Sequence, residues 1–222
     1  MATGLLAFLF SHCDDEDIAY SPKPRGYIRI DFPEKKYKKI ETNCPFDFEI
    51  PAYSQMNLNA GKNAEPCWYN VVFPGLKATL HLSYKPVNKN LATYLDDAHE
   101  IANKHQIKAT GLDEIAVVRD SAKVYGLVFD IAGNTASSVQ FYLTDSTKHF
   151  LRGSLYFNAV PNADSLKIVV DFLKKDILHL INTANWKNWE KIIKAGTKNK
   201  LALFKQVLPA NKAAPKKNDL FN

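Results

Sequence analysis

Three residues that could together carry out covalent catalysis lie close in the sequence: Asp145, Ser146 and His149. A carboxylate, an imidazole and a hydroxyl can activate the hydroxyl as a nucleophile. Such a triad is defined by its geometry, and closeness in sequence does not create it. Hydroxyl and carboxyl residues are also ordinary constituents of tight turns. The pattern therefore favours a turn, and Arg152 beside it is interpreted as a salt-bridge or hydrogen-bond partner that fixes the turn.

Motifs that signal a particular reaction are missing from the sequence. It holds no nucleophile elbow, phosphate-binding glycine loop, HExxH helix or CxxC pair. Asp96 and Asp97 are adjacent on a predicted helix, where neighbouring side chains diverge by about 100°, so they indicate a solvated face. Asp130 and Asn134 offer too few oxygen ligands for a cation site. We therefore predict no catalytic residues, no enzymatic activity, no cofactor and no metal.

Cys13 is the first of three cysteines. It comes shortly after an apolar run from Leu5 to Phe10, and His12 directly precedes it. This run is too short to cross a bilayer as a helix. An apolar stretch that ends at a cysteine is typical of a bacterial lipoprotein signal, in which the cysteine is acylated after cleavage. We interpret residues 1–12 as this signal segment, Cys13 as the lipidation site and the acidic residues 13–22 as a tether. The alternative is a frayed apolar N-terminus with a free thiol.

The other two cysteines, Cys44 and Cys67, each stand at the start of a predicted strand. They could form a disulfide or share a metal ion. No third thiol or nearby histidine completes a metal site, so the disulfide is preferred. Closing the chain between them would stabilise the fold by on the order of 3 kcal/mol.

The charge of the chain is concentrated at its C-terminal end. The formal net charge is +6, and residues 187–222 contribute +7 through nine lysines against two acids, which leaves −1 for residues 1–186. A nearly neutral body argues against a nucleic-acid partner. The length of 222 residues favours one domain, which we place at 23–186, with 187–222 as a basic amphipathic or disordered extension.

Hydrophobic periodicity predicts an α+β fold around an antiparallel sheet. Alternating apolar residues predict a three-stranded meander over about 123–158, with turns at Gly133-Asn134 and at Asp145 to Thr147. Apolar residues at spacings of three and four predict two main helices, at about 89–105 and 164–184. Shorter strands are predicted at 27–32, 44–51, 67–73 and 78–84, with a polar excursion at 52–66 and an ambiguous element at 112–118. His81 is expected to point outward from its strand as a surface residue.

Several of these stretches resemble the gliding-motility lipoprotein GldD family. The resemblance runs from about Tyr20 to Trp186 and is carried by SPKPRGYIRIDFPEKKY, CPFDFEIP, EPCWYNVVFP, LHLSYKPVNKNLATYLDDA, KVYGLVFDIAGNTASSVQFYLTDSTKHFLRGSLYFNAVPNADSL and DILHLIN. It implies a lipid-anchored, periplasm-facing envelope protein that gliding requires, associated with the type IX secretion system and without enzymatic activity. The implied lipid on Cys13 leaves Cys44 and Cys67 as a pair. The order helix–meander–helix is also similar to PsbP/Mog1-type α/β/α sandwiches.

Two function hypotheses are preferred for this chain over a third, a hydrolase that would use Ser146 and His149. The first is a non-catalytic envelope lipoprotein that supports assembly or stability of the gliding and secretion apparatus by binding other envelope proteins. The alternative is a small periplasmic ligand-binding module, which would need a concave apolar pocket beside the sheet. For a partner surface, extended Pro-rich backbone and polar turns are the easiest segments to present. The candidate residues are Pro22, Pro24, Arg25, Asp145, Ser146, His149 and Arg152.

Overall fold

The computed structural model describes residues 29–105, 109–158 and 163–187. In these residues, seven strands form one antiparallel sheet and three form a smaller one. The main elements in chain order are β1 (Tyr37–Ile40), β2 (Phe46–Pro51), β3 (Gln55–Leu58), β4 (Tyr69–Phe73), β5 (Ala78–Pro86), α1 (Leu91–His105), β6 (Ala109–Arg119), β7 (Val124–Gly133), β8 (Val139–Thr144), β9 (His149–Phe157), α2 (Ala163–Thr183) and β10 (Asn185–Trp186). The strand order is β3-β4-β5-β9-β8-β7-β6 in the large sheet and β1-β2-β10 in the small one.

The central prediction, an α+β fold built on a meander between two helices, is confirmed. The meander consists of β7, β8 and β9, paired antiparallel in sequence order, and the helices α1 and α2 lie close to their predicted bounds. Ser146, in the second turn of the meander, has a positive φ of 66°, and Gly133 lies at the first turn with φ 107°. A polar residue and a glycine tolerate this backbone region, which is why the turn residues were readable from the sequence.

One face of the large sheet, here called the α2 face, carries the main core. Strand pairing places Leu82, Gly153 and Phe141 side by side across three neighbouring strands of this face. The apolar stripe of α2 packs on it through Leu173, Ile177 and other residues. The aromatic and aliphatic side chains of β2 join the same core: Phe46, Phe48 and Ile50.

The opposite face, here called the α1 face, has a much smaller apolar core. Ala102 of α1 is buried against Phe129 and Ile131 of β7. Tyr94 of α1 packs on Phe150 with the ring centroids 5.3 Å apart. Because successive residues of a strand point to opposite faces, one meander supplies both cores, and the two helices lie on opposite sides of the sheet.

Three local expectations differ from the structure. Residues 29–32, in the strand predicted at 27–32, are irregular, and the first described strand is β1, which pairs with β2. The polar excursion at 52–66 contains β3, which pairs with β4 over Gln55 to Leu58. This strand forms because its backbone pairs with β4. The residue types of a polar segment give little indication of such pairing. The ambiguous element at 112–118 is the middle of the long strand β6.

The residues from Phe32 onward form one unit, whereas residues 29–31 belong to a separate N-terminal unit. The domain limits at 23 and 186 stay predictions. Within the described parts of the chain, no helix has the length and apolar character that crossing a membrane would require.

Candidate partner-binding site

The turn between β8 and β9 is closed by the carboxylate of Asp145. Its Oδ1 accepts the backbone N–H groups of Thr147, Lys148 and His149 at 2.7 to 3.0 Å. Burial alone would raise the pKa of Asp145, but the three donated N–H groups outweigh it and hold this pKa below its ordinary value. Asp145 is therefore committed to fixing the turn, with its charge already satisfied by backbone.

His149 is turned into the protein, with only 6% of its surface exposed. Its Nδ1 lies 2.9 Å from the hydroxyl of Tyr84, and its ring stacks on Trp186 with the centroids 5.0 Å apart. Burial lowers the pKa of His149 below its ordinary 6.5. Since no hydrogen bond within the described chain joins this imidazole to Ser146 or to the carboxylate of Asp145, the three residues do not form a catalytic triad.

Arg152 lies on the α1 face, whereas His149 lies on the α2 face. The guanidinium of Arg152 donates to Oε1 of Gln140 at 2.6 Å, and burial lowers its pKa below its ordinary value. The sequence analysis expected Arg152 to fix the turn. The guanidinium instead contacts Gln140 on the neighbouring strand. The candidate surface from Asp145 to Arg152 is thus split by the sheet, and its exposed residues are Ser146, Thr147 and Lys148.

The remaining predicted residues are placed as follows. Cys44 and Cys67 are joined by a disulfide, with their Cα atoms 5.7 Å apart, as the sequence favoured. His81 is exposed, as expected, with Nδ1 2.7 Å from Oδ1 of Asn70. Asp130 forms an ion pair with Lys174 of α2. Cys13, Pro22, Pro24 and Arg25 lie outside the described residues.

A buried carboxylate that the sequence analysis did not single out connects α2 to the chain before it. Asp176 has 2% of its surface exposed. It accepts hydrogen bonds from the hydroxyls of Tyr37, at 2.8 Å, and of Tyr53. The ammonium of Lys35 lies 2.7 Å from its Oδ1. A single acid in the middle of an otherwise apolar helix stripe was the available signal, because an unpaired buried charge is too costly to occur by accident.

The two tyrosines are held in their neutral form by this arrangement. Burial, the hydrogen bond to Asp176 and the charge of that carboxylate raise the pKa of Tyr37 to about 12. The same causes raise the pKa of Tyr53. Lys35 also donates to the carbonyl of Phe172 at 2.9 Å and lies 3.4 Å above its ring centroid. The cluster is fully engaged in holding β1 and the β2–β3 connection on α2, so its role is docking these segments.

The large sheet ends at a long exposed strand, and its β6 edge is defined here as strand β6, the last strand in the order. Among the described residues, β6 pairs with β7 alone. Its 11 residues include Ile115 and Val118, with 41% and 67% of their surface exposed, and the exposed acids Asp113 and Glu114. A long edge strand with unpaired N–H and C=O groups is a template for another strand. Sequence reasoning missed it because periodicity does not say which strand ends a sheet.

Groups of acidic, histidine or cysteine side chains that could hold a metal ion are absent from the described residues. What the geometry offers instead is a sheet whose long last strand, β6, pairs on one side alone within the described residues. The arrangement can bind another chain through backbone hydrogen bonds with side-chain contacts on either face.

Residues 17–186 match the family described as "Gliding motility lipoprotein GldD". No curated protein matches the chain significantly. Among solved structures, the solution structure of cyanobacterial PsbP (CyanoP) from Synechocystis sp. PCC 6803 is similar, with 9% sequence identity and a TM-score of 0.42. That match covers 69% of this chain and 94% of the cyanobacterial one.

Proposed function

We propose that this chain, which belongs to the gliding motility lipoprotein GldD family, is a non-catalytic envelope component that supports assembly or stability of the gliding and type IX secretion apparatus. In this proposal it faces the periplasm, is held to the membrane by a lipid on Cys13, and acts by binding another envelope protein.

The observation that carries the proposal is the β6 edge. Within the described residues, a strand of 11 residues that pairs on one side only and carries two exposed aliphatic side chains is suited to receive an extended strand of a partner protein. The neighbouring acids Asp113 and Glu114 favour a partner strand that carries Lys or Arg, because opposite charges across two paired strands are stabilising.

The disulfide supports the periplasmic location. Bonds of this kind persist in oxidising compartments such as the periplasm and are rare in the cytosol. Cys44 and Cys67 are buried, and their bond connects the segment before β2 to the segment before β4. In the cytosol this link would be kept reduced and could not contribute to the fold.

The absence of an assembled catalytic group among the described residues supports a binding role. His149 is turned into the core, Asp145 is saturated by backbone N–H groups, and Ser146 is exposed on the turn. The residues that could have performed chemistry instead stabilise a loop.

Complementation tests the proposal. A gliding strain lacking this gene receives the native gene, a Cys13→Ala variant or a Cys44→Ser variant, and colony spreading and detergent-phase partitioning are scored. We expect the native gene to restore spreading. We expect the Cys13→Ala protein to be lost from the membrane fraction and the variant gene to leave spreading unrestored. Normal spreading of the deletion strain would contradict the proposed role in gliding, and a Cys13→Ala protein that still partitions with detergent would contradict the anchor.

The alternative, a ligand-binding module with an apolar pocket beside the sheet, finds less support. Leu143, Leu151 and Leu155 are fully buried on the α2 face under α2 and β2. The space beside the sheet is thus filled by core side chains. A bound apolar ligand would have to displace that core.

A further inference from the structure

A row of polar side chains crosses the α1 face where a helix-covered sheet ordinarily carries apolar residues. Asn70 is directly opposite His81, His81 opposite Ser154, and Ser154 opposite Gln140, on four neighbouring strands. Arg152 belongs to the same face of β9, two residues from Ser154. Cross-strand neighbours lie close enough to act on one bound group.

Two atoms of this row are buried without a partner. In the described structure Nε2 of Gln140 donates no hydrogen bond, and Oγ of Ser154 neither donates nor accepts one. The two residues have only 1% and 2% of their surface exposed. Buried polar side chains are satisfied in the large majority of native positions, so each exception calls for a reason. Because the two unpartnered atoms belong to directly opposed residues, a single reason can account for both.

The Arg152 guanidinium beside them is also incompletely used. Its hydrogen bond to Oε1 of Gln140 fixes the orientation of that amide, which leaves Nε2 as a donor. No carboxylate within the described residues lies at salt-bridge distance from Arg152, although every arginine remains charged. Within the described residues, a half-buried cation that has no carboxylate partner, and that interacts electrostatically with Tyr156, lies next to an amide donor and a hydroxyl that make no hydrogen bonds.

We propose that Arg152, Gln140 and Ser154 form a binding site for a carboxylate group of a ligand. All three can donate, so the group they fit is an acceptor with negative charge. The planar fork of Arg152 matches two carboxylate oxygens, and its single positive charge balances a single negative charge. A phosphate monoester carries about −1.5 to −2 at neutral pH and would bring an unbalanced charge into this buried place.

The open end of the row lies at His81, which is exposed and hydrogen-bonded to Asn70. Ser154 stands between His81 and Gln140, so a ligand enters from the strand β5 side. Among the described residues, Arg152 donates one side-chain hydrogen bond, to Gln140. The site is separate from the β6 edge and does not depend on the proposed role in the envelope.

The test follows the side-chain amide resonance of Gln140 in the full chain by NMR. The probes are sodium acetate, N-acetyl-alanyl-alanine with a free C-terminal carboxylate, the same peptide as its C-terminal amide, and inorganic phosphate at matched ionic strength. We expect acetate and the free-acid peptide to shift the Gln140 resonance in a saturable manner. We expect the amidated peptide and phosphate to leave it unchanged.

Two variants and a control assign the effect to the site. Arg152→Gln removes the charge and should weaken carboxylate binding at least about tenfold, the range for a lost hydrogen bond to a charged group. Ser154→Ala, which leaves the charge in place, should weaken it less. Arg29→Gln changes an exposed arginine of the N-terminal unit and should have no effect.

Stability measurements keep these outcomes interpretable. Because Ser154→Ala removes only an unpartnered hydroxyl, we expect it to fold as the native chain does, and it carries the test if Arg152→Gln does not fold. Three results would overturn the proposal: no saturable shift with either carboxylate, equal binding of the amidated peptide, or tighter binding of phosphate than of acetate. Carboxylate binding that survives Ser154→Ala and Arg152→Gln unchanged would also place the site elsewhere.

Discussion

The two faces of the large sheet differ in how they are covered. The α2 face is buried under a long helix and a second sheet, and its cluster contains aromatic and aliphatic residues from almost every strand. Among the described residues, the α1 face has a buried apolar cluster of only three residues, a shorter helix and a row of polar side chains. Strand alternation made this difference possible, because each strand contributes to both faces independently.

This contrast suggests that one side of the sheet serves stability and the other serves binding. Burial on the α2 face supplies most of the stability, since hydrophobic stabilisation grows with the apolar area removed from water. The α1 face and the β6 edge contribute less and can therefore carry polar and exposed residues. Changes on the α2 side should cost stability, and changes on the α1 face and the edge should cost binding.

The largest expected effect is at Asp176. Asp176→Ala should lower the free energy of unfolding by about 3 to 5 kcal/mol, because Lys35 and two tyrosine hydroxyls lose their partner. Denaturant unfolding measures this value. Asp97→Ala, on the exposed side of α1, is the matched control and should change it by less than about 0.5 kcal/mol. Equal costs for the two variants would contradict the contrast between the faces.

Removal of the disulfide should have the next largest effect. Cys44→Ser with Cys67→Ser should lower the free energy of unfolding by about 3 kcal/mol, mainly because the unfolded chain gains freedom. The native protein measured in reducing buffer is the control and should match the double variant. If reduction leaves the unfolding midpoint unchanged, the bond contributes nothing to the α2 side.

Acidification should produce a smaller loss of stability through His149. Its pKa is lowered in the folded state, so its contribution is present above the ordinary 6.5 and is lost as the pH falls through the folded-state pKa. His149→Gln should flatten the fall of the unfolding free energy below pH 6.5. Ser146→Ala, in the same turn and without a titrating group, should keep the native slope. If the unfolding free energy of His149→Gln fell with pH as steeply as that of the native protein, His149 would not be the cause of the acid sensitivity.

The smallest effect on stability is expected at the β6 edge. Val118→Lys should change the free energy of unfolding by less than about 0.5 kcal/mol because the side chain is mostly exposed. The same variant should abolish colony spreading and co-purification of the envelope partner, since lysine on an edge strand opposes strand addition. Ile168→Lys, at an apolar position of α2 with 50% of its surface exposed, is the control and should restore normal spreading. Loss of spreading in both variants would point to a general surface effect.

Much of the architecture was predictable from particular residues. The alternation around Leu127, Phe141 and Leu155 located the meander, and the spacing of Leu173, Ile177 and Leu180 located α2. The match to the lipoprotein family likewise rests on residues along the chain. The strand β3 was not predictable, because a polar segment such as QMNL becomes a strand only when it has β4 to pair with.

The candidate sites were harder to predict from the sequence than the fold. The sequence placed Asp145, Ser146, His149 and Arg152 together, but the pleat of β9 sends His149 and Arg152 to opposite faces. It gave no sign that Gln140 lies directly opposite Ser154, a relation between residues far apart in the chain.

The sequence by itself determined the meander, the two helices, the turn residues and the family, because periodicity and residue type act over short distances along the chain. Only the tertiary structure decided which strand ends the sheet, which acid is buried between Lys35 and two tyrosines, and which polar atoms are left unpartnered. The physical reason is that strand order, burial and cross-strand register arise from contacts between residues distant in sequence, which local pattern does not encode.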